Sequence, residues 1–382
     1  MKKGSLILVG SGIKSVGHIT LEAAGWIRES DVVLYCVADP ATEIWIKDNS
    51  KHCIDLYALY GNDKKRMDTY NDMVEAMLKY LRQGKDVCGV FYGHPGVFVY
   101  PSHKAIEIAR KEGYRAAMLP AISALDCLWA DLGVDPSQSG SQTVEATDLL
   151  LRKRTLNSDC HVVIWQIGCV GDLGFNFAGY DGRNFQALVD YLVNIYGDDH
   201  EVTVYQASQY PVCAPYIETV PVSQLGEAKI SGISTLYIPP KIVRQLDLET
   251  ARSLGLVKKA QPAKANPPAT SASAQANGKG GAKQPKPKTK EFYATYRPVP
   301  DQSGLATFIA DVAQDPRMLA EFMRKPKVAA ATLAELTPEE SAALLSFHPG
   351  RIRMSMRIPK NSPYFEEVAK AKQKKTTETE QS

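Results

Sequence analysis

Short apolar runs alternate with longer segments of helical periodicity from residue 5 to about residue 240. The apolar runs are rich in valine, isoleucine and aromatic residues, which is typical of buried strands. The segments between them carry apolar residues three and four positions apart, which is typical of helices that pack on one face. Because strands that alternate with helices pair in parallel and are covered on both faces, the pattern predicts an α/β fold. The runs are residues 5–9, 31–37, 86–92 and 161–168, and the helical segments are residues 18–29, 68–82 and 102–112.

A second group of strands follows the first. Residues 201–207 and 234–239 have the composition of strands and come after a helical segment at 184–196. We therefore predict two α/β lobes with mainly parallel sheets inside one catalytic domain, residues 1–245. Since 382 residues are too many for one ordinary core, we also expect a second, smaller unit.

The composition changes abruptly after this domain. Residues 258–290 consist mainly of Ala, Pro, Gly, Ser, Asn and Lys, with almost no large apolar side chain. Region 246–302 is therefore predicted to be a helix followed by a flexible linker. Helical periodicity returns at 303–350, which predicts a small helical module. This module is too small for a convincing core of its own, so we expect it to pack on another part of the protein.

The helical module has capping signals and is followed by an alternating segment. An Asp-Pro pair at 315–316 and a Thr-Pro-Glu-Glu segment at 337–340 predict two helix starts. Apolar and polar residues alternate strictly over residues 351–358, which predicts a single strand that needs a partner edge. The tail, residues 351–382, becomes strongly polar from about residue 370, where we expect disorder.

Charge and cysteine content argue against several classes of function. The formal net charge of +3 is too small to indicate a polyanionic partner, and the lysines of the linker lack interleaved aromatics, so nucleic-acid binding is not expected. Without a signal-peptide pattern or an apolar run of membrane-spanning length, we expect a cytoplasmic protein that does not bind membranes. Histidines and cysteines show no ligand spacing, so no metal site is predicted. The cysteines, interpreted as reduced core thiols, are Cys36, Cys53, Cys88, Cys127, Cys160, Cys169 and Cys213.

Two glycine-containing loops come directly after predicted strands, VGSGIKS at 9–15 and FYGHPGVF at 91–98. Glycines there let the backbone approach a ligand at the carboxyl end of the sheet. The first loop lacks the third glycine of the dinucleotide fingerprint and the ending of a P-loop, so a plain tight turn explains it about as well. The second combines a proline, two glycines and two polar aromatic residues, which a connecting loop does not require. Its His94 is either a hydrogen-bonded loop histidine or a cofactor contact.

These loops resemble the cofactor loops of the tetrapyrrole methylase superfamily. That resemblance rests on Gly-Ser-Gly at 10–12, YGHPGVF at 92–98 and Ile-Ser-Ala at 122–124. It implies a cleft between two α/β lobes that binds S-adenosylmethionine, which becomes S-adenosylhomocysteine.

Longer strings are similar to the borosin-type, omphalotin-like peptide backbone α-N-methyltransferases, and this similarity covers residues 5–241. In that family the enzyme methylates backbone amides, fungal members carry the peptide at their own C-terminus, and a homodimer presents the peptide of one subunit to the other. The strings are LYALYGNDKKRMDTY (56–70), YGHPGVFV (92–99), CLWADLGVDP (127–136), WQIGCVG (165–171) and GISTLYIPPK (232–241).

The resemblance implies residues for catalysis and for cofactor binding, each at the matching position of its motif. The implied catalytic residues are Tyr57, Tyr60, Arg66, Tyr70 and Tyr92. The implied cofactor residues are Gly10, Gly12, Tyr92, His94, Val97, Phe98, Ser123, Ala124, Gln166, Ser234 and Thr235.

The catalytic residue types suit methyl transfer to a peptide nitrogen. That nitrogen is a poor nucleophile because its lone pair is delocalised into the carbonyl, so its proton must be removed or the imidate form stabilised. Arg66 and Tyr70 are four residues apart and share a helix face, where the guanidinium would favour the phenolate. Tyr57 and Tyr60 are three apart and can reach the same pocket. Either Tyr70 or Tyr60 is the expected base, with Arg66 as its electrostatic partner.

The sequence indicates the identity of the methyl acceptor less clearly than the chemistry of the transfer. Residues 351–362 lie where the resemblance places a substrate peptide, and an extended segment would expose its amides in turn. However, the sequence ends in KKTTETEQS rather than in an apolar core peptide. The alternatives are a separate precursor methylated in trans with a purely structural helical module, a small tetrapyrrole-type substrate, or a binding protein without activity.

Overall fold

The first lobe is a parallel α/β sheet. The computed structural model describes residues 3–62, 64–172, 174–175, 179, 182–256, 299–300, 303–333 and 336–357. The strands of the first lobe pair in the order β3-β2-β4-β1-β5, and every pairing is parallel, as predicted. Its strands are β1 (Ser5–Gly10), β2 (Val32–Cys36), β3 (Cys53–Asp55), β4 (Asp86–Phe91) and β5 (Arg115–Met118). Its helices are α1 (Leu21–Glu29), α2 (Pro40–Asn49), α3 (Arg66–Arg82) and α4 (Tyr100–Lys111).

The second lobe holds a mixed sheet, in the order β6-β7-β10-β8-β9. Only the β6–β7 pairing is parallel, so the expectation of mainly parallel pairing is wrong for this sheet. The reason is that β10 enters between β7 and β8 and runs against both, while β7 and β8 keep the common direction that a connecting helix allows. Its strands are β6 (Ser141–Glu145), β7 (His161–Trp165), β8 (Glu201–Gln206), β9 (Tyr216–Pro221) and β10 (Thr235–Ile238), and its helices are α5 (Ala124–Leu132), α6 (Ala146–Leu151) and α7 (Phe185–Tyr196).

Short helices make up the described C-terminal region. Both predicted helix starts are confirmed: the Asp315 side chain accepts from the backbone N–H groups of Arg317 and Met318, and Thr337 forms a capping box with Glu340. The helices are α8 (Leu248–Ser253), α9 (Gly304–Gln314), α10 (Pro316–Arg324), α11 (Pro326–Thr332), α12 (Pro338–Leu345) and α13 (Pro349–Ser355).

The C-terminal helices pack on the first lobe, as expected for a module too small to form its own core. Helix α9 lies against α2, and one apolar cluster joins the two regions. It contains Ile44 from the first lobe and Tyr210 from the loop after β8 in the second lobe. From the C-terminal helices it contains Leu305 and Ile309. These side chains are buried, so the module shares its core with the methylase-like lobe.

The segment predicted as a lone strand is helical instead. Helix α13 starts with Pro349 in its first turn, and the His348 ring accepts a hydrogen bond from the N–H of Arg351. The alternating pattern wrongly predicted a strand because Ile352 and Met356, which alternate with polar residues, are also four residues apart. On a helix both side chains face the apolar cluster, and they are 0% and 1% exposed. The His-Pro pair before the segment was the helix signal.

Several predictions fall outside the described residues, namely the linker at 258–290, residues 358–362 of the candidate peptide, and the tail beyond 370. Within the described ranges, no helix combines the length and the apolar character needed to cross a bilayer. All seven cysteines are in described segments, and none forms a disulfide.

We expect Ile352→Ala to lower the free energy of unfolding by about 2–5 kcal/mol, because a fully buried side chain leaves a cavity where α13 meets the lobe. Urea unfolding followed by circular dichroism measures the change. Val328→Ala is the matched control, since Val328 is 61% exposed on α11 and should change stability by less than about 0.5 kcal/mol. Equal effects of the two substitutions would show that α13 is not docked on the lobe.

Candidate active site

A cavity of about 270 Å³ lies where the two lobes meet. Its walls come from the ends of β1, β4, β7 and β8 and from the start of α5, where Ser123 and Asp126 form a capping box. Several implied cofactor residues line it: Tyr92, His94, Val97, Phe98, Ser123, Ala124, Gln166 and Thr235. Sequence reasoning missed other wall residues, which are Ile13, Gly93, Trp165, Ala207, Gly232 and Ile233. Most of these are next to a recognised motif residue, whereas Ala207 follows the end of a strand and carries no motif.

Gly10 and Gly12 have a packing role at this cavity. A Cβ on Gly10 would lie 2.1 Å from the carbonyl oxygen of Gly93, and one on Gly12 would lie 2.1 Å from the Cβ of His18. Gly12 and Gly93 also exchange backbone hydrogen bonds of 3.2 and 3.0 Å, which join the two glycine loops. The missing side chains therefore let the loops touch each other. Contact of either glycine with a cofactor stays a prediction.

A larger groove of about 760 Å³ lies beside the cavity. Arg66 and Tyr70 line it from α3, in agreement with their shared helix face. The first lobe also contributes residues from the start of α4, and the second lobe contributes residues around α6. The remaining wall residues were not predicted as site residues, although the first three lie inside recognised strings: Met67, Val99, Cys169, Tyr100, His103, Glu145, Thr147, Asp148, Leu151, Arg152 and Asp172.

Phe98 and Gln166 line both the cavity and the groove. Each has a φ of +57°, a left-handed conformation that is uncommon for residues other than glycine. The Phe98 ring lies 5.6 Å from the ring of Trp165, between centroids, and is 52% exposed. Backbone strain of this kind persists only where the surroundings enforce it, and it is frequent at ligand sites. The junction of the two spaces is thus a strained and partly apolar passage.

Three aromatic rings form a cluster next to the groove. The ring centroid of Tyr60 lies 5.3 Å from that of Tyr57 and 4.3 Å from that of Phe175. A hydrogen bond joins the hydroxyls of Tyr60 and Tyr70, and it raises the pKa of Tyr60 while it opposes the rise at Tyr70. Tyr70 lines the groove and Tyr60 is absent from its walls, so the structure distinguishes two tyrosines that the sequence leaves equivalent.

Burial dominates the acidity of these phenols. It raises the pKa of Tyr57, Tyr60 and Tyr70, and it raises the pKa of Tyr92 to about 12. At Tyr70, the charge of Arg66 and the hydrogen bond with Tyr60 act against burial. Arg66 thus acts in the predicted direction on the pKa of Tyr70, while burial has the larger effect.

The Arg66 guanidinium is held at the mouth of the groove. Its Nε and Nη2 donate to the carbonyl oxygen of Gly174 at 3.2 and 2.7 Å, and Nη2 also approaches that of Asp172 at 3.4 Å. These carbonyls fix the orientation of the planar guanidinium without cancelling its charge. Arg66 can therefore present a positive charge to the groove.

Two implied residues are placed differently from the rest. Ser234 is fully buried, and its hydroxyl accepts from Gln206 Nε2 at 2.9 Å and from the N–H of Ser231 at 2.8 Å. It shapes the loop behind the cavity wall. Tyr92 lines the interlobe cavity and is absent from the groove walls, so the structure separates it from Arg66 and Tyr70. The ring nitrogen Nδ1 of His94 accepts from the N–H of Gly96 at 2.9 Å, so His94 is both a hydrogen-bonded loop residue and a wall residue.

Helix α13 brings two arginines towards the aromatic cluster. Burial raises the pKa of Tyr57, and the charges of Arg353 and Arg357 oppose that rise. The described chain thus ends, at Arg357, within electrostatic reach of Tyr57. Within the residues described, no three His, Cys, Asp or Glu side chains are grouped so that they could hold a metal ion.

Comparison with known proteins agrees with this architecture. The profile of the tetrapyrrole (corrin/porphyrin) methylases matches residues 5–211, and that of the borosin biosynthesis clasp domain matches residues 288–381. The first profile covers the first lobe and the second lobe as far as the loop after β8, and the second profile covers the C-terminal region. The fold and its interlobe cavity are therefore those of a methylase joined to a clasp domain.

Curated relatives match almost the whole chain. The methyltransferase/ribosomally synthesized cyclic peptide dendrothelin A precursor of Dendrothele bispora is 43% identical, over 93% of this chain and 88% of its own. The corresponding omphalotin A precursor of Omphalotus olearius is 41% identical, with coverage of 93% and 88%. A type I borosin cyclic peptide precursor of Coprinopsis marcescibilis is 45% identical, with coverage of 90% of both chains. This chain belongs to the borosin-type methyltransferase precursors within the tetrapyrrole methylase family.

Proposed function

We propose that this chain transfers methyl groups from S-adenosylmethionine to backbone amide nitrogens of a peptide, and that the peptide is its own C-terminal segment. The observation that carries the proposal is the junction of two cavities at Phe98 and Gln166, with Tyr70 and Arg66 on the groove side. The names of the relatives, which describe both a methyltransferase and a cyclic-peptide precursor, support a peptide acceptor.

The interlobe cavity suits the methyl donor in its chemistry. Apolar walls from Ile13, Val97 and Trp165 can surround an aromatic base and the carbon chain next to the sulfur, while the hydroxyls of Ser123 and Thr235 offer hydrogen bonds. S-adenosylmethionine supplies a methyl group already activated on a sulfonium sulfur. The protein has then to hold that group in line with the acceptor nitrogen.

The groove supplies what an amide acceptor needs. Tyr70 lines the groove and Tyr60 does not, so the Tyr70 oxygen is the better placed of the two to take the amide proton. Arg66 favours the Tyr70 phenolate and can stabilise negative charge on the amide oxygen as the proton leaves. We therefore assign Tyr70 as the base and Arg66 as its electrostatic partner.

We place the acceptor amides beyond residue 357, so the candidate peptide 351–362 is reduced to residues 358–362. The N–H groups of Ile352, Met356 and Arg357 donate to the carbonyls of His348, Ile352 and Met354 respectively. Amides held in this way are not available for methylation. Helix α13 would then act as an anchor that delivers the following residues to the groove.

Mass spectrometry of the intact protein and of its fragments, purified from an expression host, tests the proposal. We expect methyl-sized increments on backbone positions beyond residue 357, and far fewer in an Arg66→Ala variant after the same time of expression. Increments only on lysine side chains, or none with S-adenosylmethionine added, would refute it. Methylation of a separate peptide alone would replace the chain's own tail as the substrate.

We further propose a cytoplasmic homodimer in which one subunit's tail enters the other's groove. An Arg66→Ala chain with its full tail would be mixed with a chain truncated after residue 357. Methylation of the full tail would show transfer between subunits. A tail that stays unmodified, while the wild-type chain alone is methylated, would show that each chain modifies only itself.

A further inference from the structure

Residue His18 has no assigned role, although it lies behind the first glycine loop. Its ring nitrogen Nδ1 accepts hydrogen bonds from the backbone N–H groups of Ile13 and Lys14, both at 3.2 Å. The Cβ of His18 fills the space that a side chain on Gly12 would need, and Gly12 has a left-handed φ of +67°. The histidine and the glycine therefore fit each other, and together they give the loop its shape.

This loop is one wall of the proposed cofactor cavity. Ile13 lines the cavity, and Gly12 is bonded to Gly93 on the facing loop. On its far side, the N–H of Ser15 donates to the carbonyl of Gln209 at 2.8 Å. Between these two attachments, the described contacts to the N–H groups of Ile13 and Lys14 come from the imidazole of His18. Loss of this acceptor would leave two backbone donors unpaired beside the ligand.

Only the neutral imidazole of His18 can accept these two hydrogen bonds. In the protonated ring, Nδ1 carries a hydrogen that would point at the two N–H groups. We infer that His18 is a positioning residue for the methyl donor, whose unprotonated Nδ1 holds the Ile13–Lys14 backbone as a cavity wall, so that cofactor affinity falls when the ring takes up a proton. This inference rests on the proposed function, since it takes the interlobe cavity to be the cofactor site.

The surroundings keep the ring neutral near neutral pH. Burial and the nearby charge of Lys14 lower the pKa of His18, while Asp126 and Asp131 on α5 raise it and only partly compensate. Both carboxylates are engaged elsewhere: Asp126 accepts from Ser123, and Asp131 accepts from the Tyr205 hydroxyl at 2.6 Å. With the pKa below 6.5, the neutral form is present at pH 7 and is lost only as the pH falls further.

Titration calorimetry of the full chain with S-adenosylhomocysteine, from about pH 7.5 to about pH 5, tests the inference. We expect the wild-type affinity to fall by about tenfold or more over this range, as the cost of losing the acceptor implies. His18→Asn keeps an acceptor near the position of Nδ1 and does not titrate, so its affinity should be nearly independent of pH. His18→Leu should bind about tenfold more weakly at every pH.

His348→Asn is the matched control, because the Nδ1 of His348 also accepts from a backbone N–H, that of Arg351, but at the start of α13 and away from the cavity walls. It should retain the affinity of the wild type and its dependence on pH. The inference is overturned if His18→Asn loses affinity with acid as the wild type does, or if a folded His18→Leu binds normally. Wild-type protein that binds no S-adenosylhomocysteine at about pH 7.5 would instead overturn the proposed function. Thermal unfolding of each variant shows whether the substitution has disturbed the fold.

Discussion

Replacing Tyr70 with phenylalanine is expected to slow backbone methylation by about 10²–10⁴-fold, the usual contribution of a positioned acid or base. The Tyr70 phenol lies on the groove wall and under the electrostatic influence of Arg66, so its removal eliminates the group best placed to take the amide proton. Single-turnover rates, measured by mass spectrometry on protein saturated with S-adenosylmethionine, give the effect. Calorimetry should show unchanged cofactor binding, because Tyr70 lines the groove rather than the cofactor cavity.

The neighbouring tyrosines provide the controls for this prediction. Tyr100 also lines the groove and stacks on Tyr70 with 6.2 Å between ring centroids, so Tyr100→Phe should leave the rate nearly unchanged. Tyr60→Phe removes the hydrogen bond that opposes the raised pKa of Tyr70, so the rise of rate with pH should move to higher pH. A larger loss for Tyr60→Phe than for Tyr70→Phe would assign the base to Tyr60 instead.

Removing the positive charge at the groove should be the second large effect. We expect Arg66→Ala to reduce the rate by about 10²–10³-fold, as loss of one transition-state donor commonly does. The methylation rate of Arg66→Lys should lie between those of Arg66→Ala and the wild type. A lysine keeps the charge but lacks the planar guanidinium that donates to the carbonyl of Gly174. The same single-turnover assay measures both.

Arg152→Ala is the matched control for charge. Arg152 lines the same groove, but it is paired with Asp148 at 2.6 Å on an exposed surface. Its loss should change the rate by less than about threefold, since exposed ion pairs contribute little. Equal losses for the two arginines would mean that the groove needs positive charge in general, and would remove the specific role of Arg66.

Much of this architecture is predictable because it is local in sequence. The apolar runs locate β1, β2 and β4 of the first lobe but not the short β3 and β5, and the capping signals at 315–316 and 337–340 locate two helix starts. The two glycine loops are recognisable because the carbonyl of Gly93 approaches Gly10 too closely for a side chain there, and Gly93 itself has a left-handed φ of +72°. Each of these signals depends on a few neighbouring residues.

The remaining features depend on distant parts of the chain meeting. The insertion of β10 between β7 and β8 is a choice of partner that no local pattern encodes. The second wall of the groove, around α6, becomes a wall only when the lobes pack. Residues 351–357 fit a strand and a helix equally by apolar pattern, and docking of Ile352 into the shared cluster decides for the helix. The hydrogen bond between Tyr60 and Tyr70 likewise requires the folded geometry.

The apolar cluster that joins α2 and α9 also limits how the chain can be divided. Removal of the C-terminal helices would expose an apolar patch on the remaining protein. The patch would contain Ala41, Ile44, Tyr210 and Val212. A catalytic fragment cut before residue 299 should therefore self-associate, and adding the excised helices as a separate polypeptide should restore its solubility. In this architecture the C-terminal helices cover an apolar surface that the lobes alone would expose to solvent.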